Sequence, residues 1–216
     1  MNVGAIGGFD SGFRSQLYAL FAWRRDVRRF RSDPLPDGVL DRLLDLACLA
    51  PSVGLSQPWR FVTVDEPNRR AAIRAEFERC NAAALAAEPE ERAGRYARLK
   101  LAGLDKAPVH VAVFADRETA QGHGLGRRTM PETIAYSAVM AVHTLWLAAR
   151  AEGIGLGWVS ILEPARVADA LAVPAAWAFV AYLCLGYPEH DDDVPTLERE
   201  HWERRRPDTA SFRLSR

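Results

Sequence analysis

Val109-His-Val-Ala-Val-Phe-Ala115, with Gln121-Gly-His-Gly-Leu-Gly126 close behind it, is the stretch on which the fold turns. The first run is β-branched and aromatic and reads as a strand. A Gly-rich loop then leads to a helix predicted from about Pro131 to Glu152, which invites a doubly wound reading. Neither that loop nor Gly153-Ile-Gly-Leu-Gly157 carries a dinucleotide or phosphate-loop fingerprint, since each lacks the strand-first context or the Lys-Ser/Thr ending. An ordinary turn and a helix cap account for both.

Working outward, Gln16 to Arg24 reads as a first helix and Asp37 to Ala47 as a second, with Asp37 as its N-cap and Pro51 as its stop. Arg60-Phe-Val-Thr-Val64 is a strand candidate, and Pro67 to about Leu104 is helical with a break at Pro89. Gly153 caps the long helix, Leu156 to Ile161 and Ala178 to Leu185 complete the strands, and Pro164 to Leu171 is a short helix between them. Helices thus surround a few short strands without regular alternation, so the class is α+β in a single domain. The run Ile134 to Ala149 is apolar on nearly all sides, more than a small sheet can cover, which predicts an obligate dimer.

The chain has 216 residues, 49% of them hydrophobic, enough for one full core. Lys plus Arg and Asp plus Glu are both 28, so the overall charge points to no nucleic-acid or anionic-membrane partner. Cys48, Cys80 and Cys184 are dispersed, which suits a reduced, cytoplasmic compartment. The five histidines show no ligand spacing and no metal is expected. Met1 to Ser15 does not read as a signal peptide, and Ile134 to Ala149 falls short of the roughly 20 residues a span requires.

Phe21-Ala-Trp-Arg-Arg-Asp-Val-Arg-Arg-Phe30 places Arg24, Arg25 and Arg28 around one acid, Asp26. Guanidiniums engage phosphate oxygens through planar forks, so the cluster fits a phosphorylated ligand; a solvated basic helix end is the competing reading.

Arg24-Arg-Asp-Val-Arg28, Ala50-Pro-Ser-Val-Gly-Leu-Ser-Gln-Pro-Trp59, Gly153-Ile-Gly-Leu-Gly-Trp-Val-Ser160 and Leu185-Gly-Tyr-Pro188 together resemble, in order, the landmarks of the FMN-dependent nitroreductase superfamily, over about residues 18 to 206. Asp26 stands where general nitroreductases usually have Ser, and with the Pro-Ser-Val-Gly-Leu-Ser-Gln-Pro loop and Thr129-Met-Pro-Glu-Thr133 it resembles the branch that fragments reduced FMN with O2. That branch releases 5,6-dimethylbenzimidazole, the lower ligand of vitamin B12, and a tetrose phosphate.

The resemblance implies a small mixed, mainly antiparallel sheet within helices, and a homodimer whose terminal arms embrace the partner. It implies that Arg24, Arg25, Val27, Arg28 and Arg205 or Arg206 surround FMN, with Arg24 and Arg28 on the phosphate. Ser52, Val53, Gly54 and Gln57 would come from the partner subunit, Gly54 leaving room beside the ring for oxygen. Gly155, Leu156, Gly157 and Ser160 would pass the pyrimidine side, and a lid from about Asn81 to Leu104 carrying Lys100 would exclude water. Asp26 and Ser160 are the implied catalytic residues, moving protons and orienting the ring; as an acid among three Arg, Asp26 should be ionised, and a structural salt bridge is its alternative role. Lys100 taken alone is an exposed helical lysine, while Trp59, Trp158 and Trp177 read as packing. A flavin reductase or other source of reduced FMN is an implied partner. An NAD(P)H-dependent nitro or flavin reductase and a non-catalytic flavin-binding protein are the alternative functions.

Overall fold

The computed structural model describes residues 8–99 and 103–216. In chain order its elements are α1 (Ser11–Trp23), α2 (Val39–Ala47), β1 (Trp59–Thr63), α3 (Pro67–Ala87), α4 (Glu90–Arg98), α5 (Gly103–Lys106), β2 (Val109–Asp116), α6 (Thr133–Ala151), β3 (Gly155–Val159), α7 (Pro164–Leu171), β4 (Trp177–Gly186) and α8 (Thr196–Arg199). The four strands form one sheet in the order β1-β2-β4-β3, and every neighbouring pair is antiparallel. Among the described residues the expected mixed character is confined to a single parallel bridge, Asp26 to Leu156, on the outer edge of β3.

β2 and β4 are central and buried on both faces, which is why each reads as a continuous apolar run. Alternate residues serve two cores. Ala112, Phe114, Tyr182 and Cys184 face α3 and α7, packing with Phe30, Ile73, Val167 and Leu171. Val111, Val113, Ala181, Leu183 and Leu185 face α6 and α2, packing with Val142, Leu145 and Leu43. One polar pair lies inside the first layer: His110 Nδ1 sits 2.9 Å from the Tyr182 hydroxyl. Burial lowers His110 to about 4 and raises the Tyr182 phenol, so both are neutral partners in a satisfied bond.

Three expectations are corrected. Asp37 does not cap α2: a turn closed by the Val39 N–H on the Pro36 carbonyl enters the helix, the cap position falls to Gly38, and no side chain caps it. The first helix begins earlier than Gln16, because Asp10 accepts the Phe13 N–H at 2.7 Å and starts it at Ser11. Within one chain α6 is not buried all round. Ala138, Ala141, Val142 and Leu145 face the sheet, whereas Tyr136, Val139 and Met140 are exposed. α6 is long and apolar enough to cross a membrane by length and composition, yet its inner face is committed to the sheet.

Candidate active site

The chain leaves α1 at Trp23 and runs along the free edge of β3. Val27 donates to the Leu156 carbonyl at 3.0 Å, and the Trp158 N–H donates to Asp26 Oδ1 at 2.9 Å. Phe30, 1% exposed, anchors the far end in the core. This close approach needs the glycines of β3. A Cβ on Gly157 would collide with the Val27 carbonyl oxygen, and one on Gly155 would lie 2.8 Å from Val27 Cγ2. The Gly155-Leu-Gly157 spacing is therefore a seat for the cationic strip.

Two cavities open on that strip, of about 390 Å³ and about 130 Å³. Arg25, Asp26 and Arg28 line both, so Asp26 stands at their junction. Arg24, Leu197 and Arg205 complete much of the smaller one. Arg206 instead lies over the Phe212 ring. Arg24 is lowered by burial and by Arg205, although Asp26 opposes the shift, and Arg25 is lowered by burial, Arg205 and Arg24. Arg25 Nε is buried without a hydrogen-bond partner. Cations crowded to mutual disadvantage around a small cavity, one with an orphaned donor, fit a phosphate dianion. These residues therefore suit the phosphate end of FMN.

Asp26 is displaced against the pull of its Arg neighbours. The charges of Arg28, whose Nε lies 3.6 Å from Oδ2, and of Arg24 both favour ionisation, as does the Trp158 N–H. Burial outweighs them, and the carboxyl is raised above the ordinary aspartate value. Its side chain nonetheless remains 37% exposed, toward the cavities it lines.

The other predicted residues fall into separate places. Val53 donates its backbone N–H to Ser137 Oγ at 3.0 Å, and Ser52 Oγ accepts the Gln57 N–H at 3.1 Å, so the Ser52–Gln57 loop rests on the first half of α6. Gly54 has φ of 56°, and a Cβ there would meet Leu125 Cβ and the Leu125 carbonyl at 3.0 Å; in this chain its missing side chain makes room for the Gln121–Gly126 loop. Gln57 Oε1 accepts from Gln121 Nε2 at 2.8 Å. Ser160 is exposed just beyond β3 and lines neither cavity. Of the lid, Leu99 lines the larger cavity and its carbonyl accepts from Arg28 Nη1 at 3.4 Å. Lys100 lies outside the described residues.

Several functional neighbours escaped the sequence reading. Trp146 on α6 donates its indole N–H to the Arg25 carbonyl at 2.9 Å and carries the Arg24 guanidinium over its ring at 4.8 Å. Arg150, one turn on, pairs with Asp191 at 2.6 Å and lies over the Trp23 ring. Arg25 donates to the Asp193 carbonyl, and Arg199 pairs with Asp192 at 2.7 Å, so the His190–Asp193 segment straps the strip. The usable signal was the Trp146/Arg150 spacing of four on α6 facing consecutive Trp23 and Arg24.

Comparison with known proteins bears on these features. Residues 21–187 match the model of the nitroreductase family. The chain is 62% identical over 199 residues to a 5,6-dimethylbenzimidazole synthase of Rhodospirillum rubrum, covering 92% of this chain and 94% of that one. It is 50% identical to a 5,6-dimethylbenzimidazole synthase of Rhodobacter capsulatus, covering 92% and 96%. Among solved structures it resembles an iodotyrosine deiodinase bound to FMN and 3-iodo-L-tyrosine, with a TM-score of 0.69 at 25% identity, over 82% of this chain and 91% of that one.

Proposed function

The chain belongs to the nitroreductase family, and on that premise we infer that it makes 5,6-dimethylbenzimidazole, the lower ligand of vitamin B12, from reduced FMN and O2. The observation that carries this reading is Asp26, a carboxyl raised by burial and fixed by the Trp158 N–H where the phosphate-sized cavity meets the larger one. Reduced FMN, when bound, would supply both the electrons taken by O2 and the carbon skeleton of the product, with the pyrimidine part of the ring system and a tetrose phosphate from the rest of the ribityl chain leaving as the other fragments.

The chain's own residues have distinct tasks. Arg24, Arg28 and Arg205 bind the phosphate, and Arg25, which lines the same cavity, adds its charge. Asp26 is held through Oδ1, which leaves Oδ2 toward Arg28 and the cavity as the oxygen that accepts and returns protons. A pKa displaced toward neutrality suits that exchange. Gly155, Leu156 and Gly157 seat the strip, Val27 ties it to β3, and Ser160, exposed beyond both cavities, would orient the ring or relay a proton only where the flavin ring extends past them toward the partner subunit. Leu99, with Lys100 and the rest of the lid, excludes water.

The site is split along α6. Ser137, beneath the Ser52–Gln57 loop, and Trp146, beneath Arg24 and Arg25, are nine residues apart, about 13 Å along the helix axis. A two-fold homodimer that covers Tyr136, Val139 and Met140 would bring Ser52, Val53, Gly54 and Gln57 of one copy to the cationic strip of the other. The enzyme then works in the cytoplasm beside a flavin reductase that supplies reduced FMN. Sedimentation showing an FMN-competent monomer at micromolar concentration would remove the shared site.

Aerobic incubation with reduced FMN and mass detection of products tests the activity. Dimethylbenzimidazole supports the proposal, whereas steady NAD(P)H turnover without it would make the protein a reductase, and neither would leave a flavin-binding protein.

A further inference from the structure

We propose that Trp146 is a positioning residue for phosphate recognition, and that it acts through Arg24 and Arg25 without touching the ligand's reacting atoms. The proposal rests on the phosphate-site reading above. α1 has no buried residue, so its own packing does not set the direction in which its last turn releases the strip. The junction is instead held by a reciprocal clasp. Trp23 and Arg24, consecutive at the end of α1, meet Arg150 and Trp146, one turn apart on α6. Arg24 lies 4.8 Å from the centre of the Trp146 ring, and Arg150 lies 5.7 Å from that of Trp23.

Trp146 makes the clasp specific. Its ring face stabilises the Arg24 guanidinium by a cation–π contact that needs no anion, so the guanidinium is already ordered before phosphate arrives. Its N–H, 2.9 Å from the Arg25 carbonyl, fixes the peptide one residue before Asp26. The ring also lies 6.4 Å from that of Trp158, whose backbone N–H holds Asp26. One indole thus sets the Arg24 side chain and the backbone of Arg25 from a helix that is itself anchored in the core.

The test is equilibrium binding of oxidised FMN and of riboflavin, which differ at the phosphate and are not consumed. Wild-type protein is expected to prefer FMN. Trp146→Leu, which removes both ring face and donor, should weaken FMN binding by about 5- to 50-fold while changing riboflavin binding less than about 3-fold. Trp146→Phe keeps a ring face, so it should reduce the FMN to riboflavin preference by about 2- to 5-fold, and it serves alone where the Leu variant does not fold. Combined with Arg24→Ala, either substitution should add less than it does in wild type, because the guanidinium it positions is gone. A wild-type protein without FMN preference would overturn the phosphate site itself. Wild-type preference retained unchanged in Trp146→Phe, or equal losses for FMN and riboflavin in both variants, would overturn only the positioning role.

Discussion

Replacing Gly157 by Ala probes how the site is seated. The added methyl collides with the Val27 carbonyl oxygen, a backbone atom that cannot rotate away, so the strip has to lift from β3. Lifting sacrifices the Val27 N–H bond to Leu156 at 3.0 Å and the Trp158 N–H bond to the Asp26 carboxyl at 2.9 Å. A backbone bond contributes about 0.5–1.5 kcal/mol and one to a charged group about 1.5–3 kcal/mol, so the gross loss is about 2–4.5 kcal/mol. Ala returns up to about 1 kcal/mol by restricting the unfolded chain, leaving a net loss of about 1–4 kcal/mol. Gly94 in α4 is the internal control: a Cβ there meets nothing within 4 Å, so Gly94→Ala should stabilise by about 0.5–1 kcal/mol. Urea unfolding of both variants at one protein concentration, with FMN binding alongside, measures the contrast. A Gly157→Ala protein within about 0.5 kcal/mol of wild type, binding FMN normally, would refute the seating argument.

Asp26→Asn should keep FMN binding and abolish dimethylbenzimidazole formation. Because burial raises the Asp26 carboxyl, ionisation costs the folded state, so stability falls as pH climbs above the ordinary carboxylate range; the Asn protein should melt higher at pH 7, by a margin that shrinks on acidification, and a lower melting point would contradict this. Arg28→Ala should weaken FMN binding by about 1.5–3 kcal/mol and riboflavin binding much less, and isothermal titration giving equal losses would withdraw Arg28 from the phosphate. His110, lowered to about 4, adds stability that is complete above its unfolded value of 6.5 and lost as pH falls from there toward 4, up to about 3 kcal/mol. His110→Gln should flatten that part of a stability profile measured by urea unfolding, and an unchanged slope would assign the acid sensitivity elsewhere.

The strands were legible because β2 and β4 carry unbroken apolar runs and β1 and β3 are bounded by Pro and Gly; α7 was bounded correctly by Pro164 and Leu171. The cationic strip was legible because its residues are contiguous. What escaped depends on chain crossings. Trp146 and Arg150 look like any helical surface until α1 arrives beside them, and Asp191 gains meaning only when the strap folds back on Arg150. The direction in which Asp26 is displaced is hidden for a related reason: neighbouring Arg residues can be counted along the sequence, whereas the desolvation that outweighs them comes from the packing of the strip against β3. Asp37 differs from its expected role for a local reason: the turn from Pro36 to Val39 places Gly38 at the cap position, where no side chain can cap.

The placement of the Ser52–Gln57 loop and the cationic strip along one helix has a genetic consequence. Under the two-fold arrangement, a chain crippled only in its strip and a chain crippled only in its loop are each inert alone, since every pocket they build has one bad half. Mixed in one dimer, they concentrate both lesions in one pocket and leave the other wholly intact. Random pairing of equal amounts makes half of the dimers mixed, so about a quarter of all pockets regain both good halves. Two dead alleles expressed together would then restore cobamide-dependent growth, a phenotype that a monomer with a self-contained pocket cannot produce.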